Sequence, residues 1–406
     1  MVDTTADAGA EVEARPVAAA GTRISSIDLM RGIVIVLMVL DHVRDYFHYQ
    51  AWLFDPLDVT QTNAGLYLTR WITHFCAPTF LFLSGVSAFL HGEKLGSKGA
   101  LSKFLLTRGL WLILLEFTLI NFAWNFSLPA FPLLVIWAIG LCMVAMSALV
   151  WLPRAAVLAV GVALIGLHNL LDPIAAESLG PLAPLWHVLH QPGLAGELFG
   201  KPVFIAYPLL PWLGVMALGY GLGDVFLKDA AERKRILTLL GLAMITAFAV
   251  LRGWNVYGDA NTWAPHGDPW RTAGDMFDVS KYPPSLLYVL VTLGPVFLLM
   301  PWLERAKGWL AEFFLVFGRV PFFSYLGHIV VAHLLMLGIG MAFGLPAQTF
   351  VGVIVDPGPL IEIGWGFPLP VVWGLWALVL VILYGPARWF GDLKRRRSGE
   401  WWWSYL

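Results

Sequence analysis

Ten apolar stretches recur between residues 27 and 390, most of them about as long as a bilayer's hydrocarbon core is thick. Lipid offers peptide groups no hydrogen-bond partner, so stretches of this length can span a membrane only as helices that satisfy their own backbone. They lie near 27–47, 71–91, 104–126, 131–152, 155–171, 203–226, 236–251, 284–303, 313–341 and 370–390, the fifth and seventh being short. Composition agrees, since 58% of the residues are hydrophobic, 13% are charged and the mean hydropathy is +0.72. A soluble globule carries about a quarter charged residues. The expected fold is an all-α, polytopic helical bundle of about ten transmembrane helices. It comprises a disordered tail over 1–22, a membrane domain over 23–391 and a basic, aromatic C-terminal tail over 392–406.

Lys and Arg set the orientation. One set of connections carries Lys94, Lys98, Lys103, Arg108, Arg154, Lys228, Arg233, Lys234, Arg235, Arg305, Lys307 and Lys394 to Arg397. The alternate set holds only Arg44, Arg70, Lys201, Arg252, Arg271 and Lys281. The positive-inside rule then places both termini in the cytoplasm. A net charge of −1 gives no reason to expect a nucleic-acid partner.

The first stretch, SSIDLMRGIVIVLMVLDHVRDYFH, carries Asp28 and Arg31 at its cytoplasmic end and Asp41 and His42 in its outer third. Ionisable groups at membrane depth are costly and read as functional. Arg31 and His42 are eleven residues apart, three turns plus about 20°, so they share a helix face roughly 16 Å apart along the axis. His74 enters at comparable depth on the second stretch, where Ser84, Gly85, Ser87 and Ala88 make a small-residue face suited to close packing against a neighbour such as helix 1. Further candidates are Glu116, Lys281, and Tyr325 with His328 three residues on. His333 is expected to be structural, and Trp401 to Trp403 to be interfacial anchors.

Familiar chemistries are missing. Cys76 and Cys142 make no metal or redox motif, no bound metal is expected, and no Walker loop, dinucleotide fingerprint, GxSxG or HExxH is present. No sequence repeat or matched pair of interrupted helices marks a secondary transporter, although Pro208, Pro211 and Pro321 could each kink a span.

The segments RISSIDLMRGIVIVLMVLDHVRDYFH, HFCAPTFLFLSG, YPLLPWLGVMALGYGLG, KYPPSLLYVL and FGRVPFFSYLGHIVVAH resemble the bacterial branch of the heparan-alpha-glucosaminide N-acetyltransferase catalytic-domain family, from about Arg23 to the C-terminus. The spacing of Asp28, Arg31, Gly32 and His42 is also similar to the first-helix pattern of the acyltransferase-three family. The resemblance implies a bacterial inner-membrane enzyme moving an acyl group, expected to be acetyl, from cytoplasmic acetyl-CoA to a carbohydrate or glycolipid acceptor outside. By distance from Pro78, the histidine proposed as catalytic in the lysosomal relatives would fall near Ala64, which leaves His42 and His74 as the candidates here. The chemistry supports the same residues. A thioester has a good leaving group, so the reaction chiefly needs a base, and a His near neutral pH supplies one. His42 is the expected base, oriented by Asp41 or aided by His74, with Asp28 and Arg31 shaping the CoA mouth and Glu116, Lys281, Tyr325 and His328 as additional site candidates. Membrane lipid is the expected surround, and a homodimer is allowed. The alternative is a proton-coupled transporter of a sugar or glycan fragment, in which the same Asp and His groups relay protons.

Overall fold

A computed structural model describes residues 25–397 and residue 400; the 1–22 tail and the Trp401 to Trp403 anchors lie outside the described residues. Among the described residues sixteen α-helices follow in chain order. The first eight are α1 (Ser25–Phe47), α2 (Ala64–Trp71), α3 (Cys76–Leu95), α4 (Lys98–Leu115), α5 (Asn121–Asn125), α6 (Val135–Leu149), α7 (Arg154–Leu167) and α8 (Ala183–Leu189). The rest are α9 (Leu209–Gly221), α10 (Ala230–Trp254), α11 (Pro269–Phe277), α12 (Leu286–Leu303), α13 (Trp309–Gly318), α14 (Pro321–Ala342), α15 (Gly358–Glu362) and α16 (Leu369–Arg396).

This is a multi-pass helical membrane bundle. Among the described residues, eight helical segments are long and apolar enough to cross a membrane. Helix α1 is not among them, because its charges interrupt the apolar run, yet its 23 residues rise roughly 34 Å and it lies at the centre. It packs against α3, α12, α13, α14 and α16. The apolar stretches of α3, α9 and α12 are 72% buried and form the interior, whereas those of α7, α10 and α16 are 22% buried and turn Leu239, Val250, Val381 and Trp389 outward. An apolar exterior of this kind is a lipid-facing surface.

The ten expected stretches do not map one to one onto helices. Residues 313–341 are two helices, because Pro321 has no N–H to donate and pushes Val320 out of helical geometry (φ −133°, ψ 57°). The stretches 131–152 and 203–226 each begin as strand. Strands β1 (Phe131–Leu133), β2 (Gly193–Leu198) and β3 (Lys201–Ile205) form a small sheet in the order β1-β3-β2, with β1 parallel and β2 antiparallel to β3. Phe199 and Gly200, both at positive φ, close the β2–β3 hairpin in the twist that a two-residue loop favours.

Side-chain caps start five of these helices: Asn63, Ser97, Asp229, Asp268 and Ser285 each accept a backbone N–H of the first turn. Two irregular turns sit inside spans. A 3-10 turn over Ile72–Phe75 joins α2 to α3 and carries His74, and a π-turn over Glu116–Ile120 joins α4 to α5.

Glycine sets the closest crossings. The small-residue face of α3 divides: Gly85 meets the Met216 carbonyl of α9, while Ser87 turns to Arg31 of α1. At the crossing of α1 and α13, a Cβ on Gly318 would stand 1.8 Å from the Asp28 carbonyl oxygen, and one on Gly32 1.9 Å from that of Phe314. Both obstacles are backbone and cannot swing aside. Gly318→Ala is therefore expected to cost at least the ~1–3 kcal/mol typical of overpacking. A thermal scan in detergent checks this, with Gly338→Ala as the control, since nothing lies within 4 Å of a Cβ there.

Candidate active site

The basic helix ends gather around one cavity of about 1080 Å³. Arg31 of α1, Arg108 of α4, Arg319 at the α13–α14 break, and Arg388, Lys394 and Arg395 of α16 line it, against Glu312 and Asp392. Glu312 pairs with Arg319 (3.7 Å) and Asp392 with Arg395 (3.1 Å), so cations stay in excess on the wall. A cavity of this size is at the upper end of ligand pockets and suits a large anionic ligand. Under the positive-inside expectation it opens to the cytoplasm.

Arg31 is held in place from both sides. It pairs with Asp28 (3.2 Å), one turn back, and donates to the Ser87 hydroxyl and the Leu83 carbonyl of α3. Asp28 and Arg31 thus stand together at the mouth. The cavity then becomes apolar, passing Met38, Phe80, Leu112, Ile136 and Met143, and reaches Tyr325.

Tyr325 is the link to the histidines. Its ring lies 6.3 Å from that of His42 and 5.7 Å from that of His328, and its hydroxyl accepts from Trp124 Nε1 at 3.4 Å. His42 Nδ1 and His328 Nε2 are 2.7 Å apart, and His328 Nδ1 stands 2.8 Å from the Ser324 carbonyl oxygen. That carbonyl can only accept, so His328 carries its proton on Nδ1 and, when neutral, accepts at Nε2. His42 must then donate from Nδ1, which leaves the lone pair of its Nε2 available. Trp124 packs edge-on to His42 at 4.6 Å and fixes the ring from another side.

The other expected partners of His42 face elsewhere. Asp41 pairs with Arg44 (3.1 Å) and Arg70 (3.5 Å), and Arg44 also holds Asp45 (2.5 Å), in a buried charge network beyond the histidine layer. His74 packs its ring edge-on to Tyr288 at 5.2 Å, and its backbone carbonyl accepts from the Tyr288 hydroxyl at 2.8 Å. Lys281 is buried in the 255–285 connection, with its ammonium 5.2 Å from the centre of the Tyr282 ring. Glu116 lies in the π-turn, where its Oε1 accepts from the Leu134 N–H at 2.8 Å and ties α4 to the start of α6. His333 sits between two backbone carbonyls, with Nε2 2.7 Å from the oxygen of Phe350 and Nδ1 3.3 Å from that of Ala123, so the neutral ring donates to one of them.

Three features were not legible beforehand: Trp124 beside His42, Arg70 on Asp41, and the basic wall supplied by Arg319 and α16. The wall had a signal, since Arg388 and the basic run from Lys394 continue the last apolar stretch.

The connection over 255–285 carries a separate acidic group. Asp278 is pushed up to about 7 by burial and by the neighbouring carboxylates of Asp55, Asp259 and Asp275, with Arg252 opposing. A carboxyl raised above its unfolded value favours the protonated native state, so its contribution is present at acid pH and is lost as pH rises towards 7. Asp278→Asn is expected to flatten the fall in melting temperature between about pH 4 and pH 7, the range that runs from the ordinary carboxyl value to the raised one. Parallel melting curves across that range in variant and parent would overturn the assignment.

A family profile described as "Heparan-alpha-glucosaminide N-acetyltransferase, catalytic" matches residues 23–255, more than half of the chain. The match includes Asp28, Arg31, Asp41, His42, His74 and Glu116, while Lys281, Tyr325, His328 and α16 lie beyond it. No curated protein matches the chain.

Proposed function

The chain belongs to the heparan-alpha-glucosaminide N-acetyltransferase catalytic-domain family, and from that premise we propose that it moves an acetyl group from cytoplasmic acetyl-CoA to a carbohydrate hydroxyl or amine presented on the outer side of a bacterial cytoplasmic membrane. The observation that carries this reading is the basic-walled cavity, whose apolar inner end reaches the tyrosine beside the His42–His328 pair. A cationic mouth fits the CoA phosphates. The roughly 16 Å from Arg31 to His42 along α1 is comparable to an extended pantetheine arm. The nucleotide would then stay at the mouth while the thioester lies in the histidine layer.

In this scheme the acceptor oxygen or nitrogen attacks the thioester carbonyl while His42 Nε2 takes its proton. The tetrahedral intermediate expels the CoA thiolate, and the imidazolium returns the proton to the sulfur. His328 holds His42 in the base-competent tautomer and accepts from its Nδ1–H as charge develops. Here His328 takes the orienting role that sequence reasoning gave to Asp41. Asp41, Arg70 and Lys281 surround the outer approach, where an acceptor would arrive.

Purified protein with labelled acetyl-CoA and a panel of amino sugars and glycans tests the proposal, transfer of label being the expected result. Product patterns that require both substrates together, against ping-pong kinetics, separate direct transfer from an acetyl-histidine intermediate. Accumulation of a sugar in proteoliposomes without CoA would overturn the scheme in favour of transport.

A further inference from the structure

A second cluster lies at the opposite end of the bundle from the basic mouth, where α7 gives way to a 3-10 turn over His168–Leu171. His168 opens that turn, Asp172 caps it, and His190 ends α8. Their ligand atoms all lie within 4.8 Å of one another. His168 and His190 are 3% and 2% exposed, His190 Nδ1 makes no hydrogen bond, and neither ring nitrogen of His168 has a well-formed one, although the Pro284 carbonyl approaches that ring. Buried imidazole nitrogens of this kind are rare without a reason, because each has given up water. We propose that His168, Asp172 and His190 form a binding site for a borderline divalent metal ion, Zn²⁺ foremost.

The donor set argues for that class. Two imidazoles and one carboxylate suit zinc and its first-row neighbours, whereas calcium and magnesium prefer oxygen alone. A tetrahedral zinc with ligands at about 2.0–2.2 Å holds its donors roughly 3.3 Å apart. His190 Nε2 and Asp172 Oδ1 are 2.9 Å apart and share a proton, so a metal that displaces that proton needs them to part by a few tenths of an ångström while His168 closes in. The surroundings supply outer support of the kind metal ligands use. Asn169 Nδ2 donates to Asp172 Oδ2 at 2.9 Å, the Pro284 carbonyl stands near the His168 ring, and the Trp186 ring packs on His190 at 5.2 Å. Asn169 Oδ1 also accepts from the Leu286 N–H at 3.0 Å, which ties the site to the first turn of α12. Three protein ligands leave the fourth position to water, which reaches the site past the partly exposed Asp172. A metal here clamps the end of α7 to α8 and so steadies the outer connection that carries β2.

The test uses tag-free, full-length protein in detergent, stripped with chelator and titrated with Co²⁺ and then Zn²⁺. One equivalent of Co²⁺ with the visible absorption of a tetrahedral site, displaced by Zn²⁺, is expected. His168→Gln and His190→Gln should each abolish it, and His266→Gln, which alters the separate His266–Asp275 pair, should leave it intact. Asn169→Ala keeps all three ligands and should weaken binding by about 10–100-fold; it decides the matter if the glutamine variants do not fold. Absence of the band in the parent protein, or equal binding in parent and variants, would overturn the site.

Discussion

His42→Ala is expected to lower acyl transfer by about 10²–10⁴-fold, the usual worth of a positioned general base, while leaving the affinity for acetyl-CoA nearly unchanged. The two readouts separate because His42 would meet the acyl group and acceptor under the proposed scheme, whereas the CoA phosphates would lie at the other end of the cavity. His328→Gln should lower kcat by a smaller factor, since glutamine can still accept from His42 Nδ1–H. Its pH profile should shift as well, because a neutral amide stabilises the imidazolium less than a second imidazole does. Steady-state rates across pH check both. Full activity in His42→Ala would remove the base assignment.

Arg319→Ala combined with Arg388→Ala is expected to raise the KM for acetyl-CoA by roughly 10–100-fold. A hydrogen bond to a charged group is worth about 1.5–3 kcal/mol, and because both guanidiniums are exposed to solvent their joint loss is expected to cost about as much as one such bond. The value of kcat should change little. Truncating the donor sharpens the test: an acetyl thioester of pantetheine carries none of the nucleotide phosphates, so parent and variant should use it equally well. A KM penalty that persists with the truncated donor would mean that the arginines shape the cavity rather than bind phosphate.

Much of the bundle could be read from hydropathy, because a backbone in lipid has few choices. The exceptions share a cause. Helix α13 and helix α14 merge in an apolar average, and only Pro321 and the flanking Arg319 signal the break. Strands β1, β2 and β3 are three to six residues long, too short for alternation to show against apolar neighbours.

In the site, the pairing of Asp28 with Arg31 was legible because the two are one turn apart on one helix. The partner of His42 was not. Neighbours in a helix point about 100° apart, so Asp41, although adjacent, turns towards Arg70 while His42 faces α14. His328 lies 286 residues further along and meets His42 only after the bundle assembles. Tyr325 and His328 were recognisable as a pair on one face, but nothing in their spacing indicated which helix they would meet.

The hydrogen-bonded run from His42 through His328 stops at the Ser324 carbonyl oxygen, which has no proton to pass on and no capacity to keep one. It is a cul-de-sac rather than a wire. In the proposed scheme a proton lifted from an acceptor would pass from His42 to the departing sulfur rather than along this run, so each turnover would be electrically silent along this route. A membrane enzyme working by that scheme would not drain the proton-motive force, and its rate is expected not to respond to the voltage across the bilayer in which it sits.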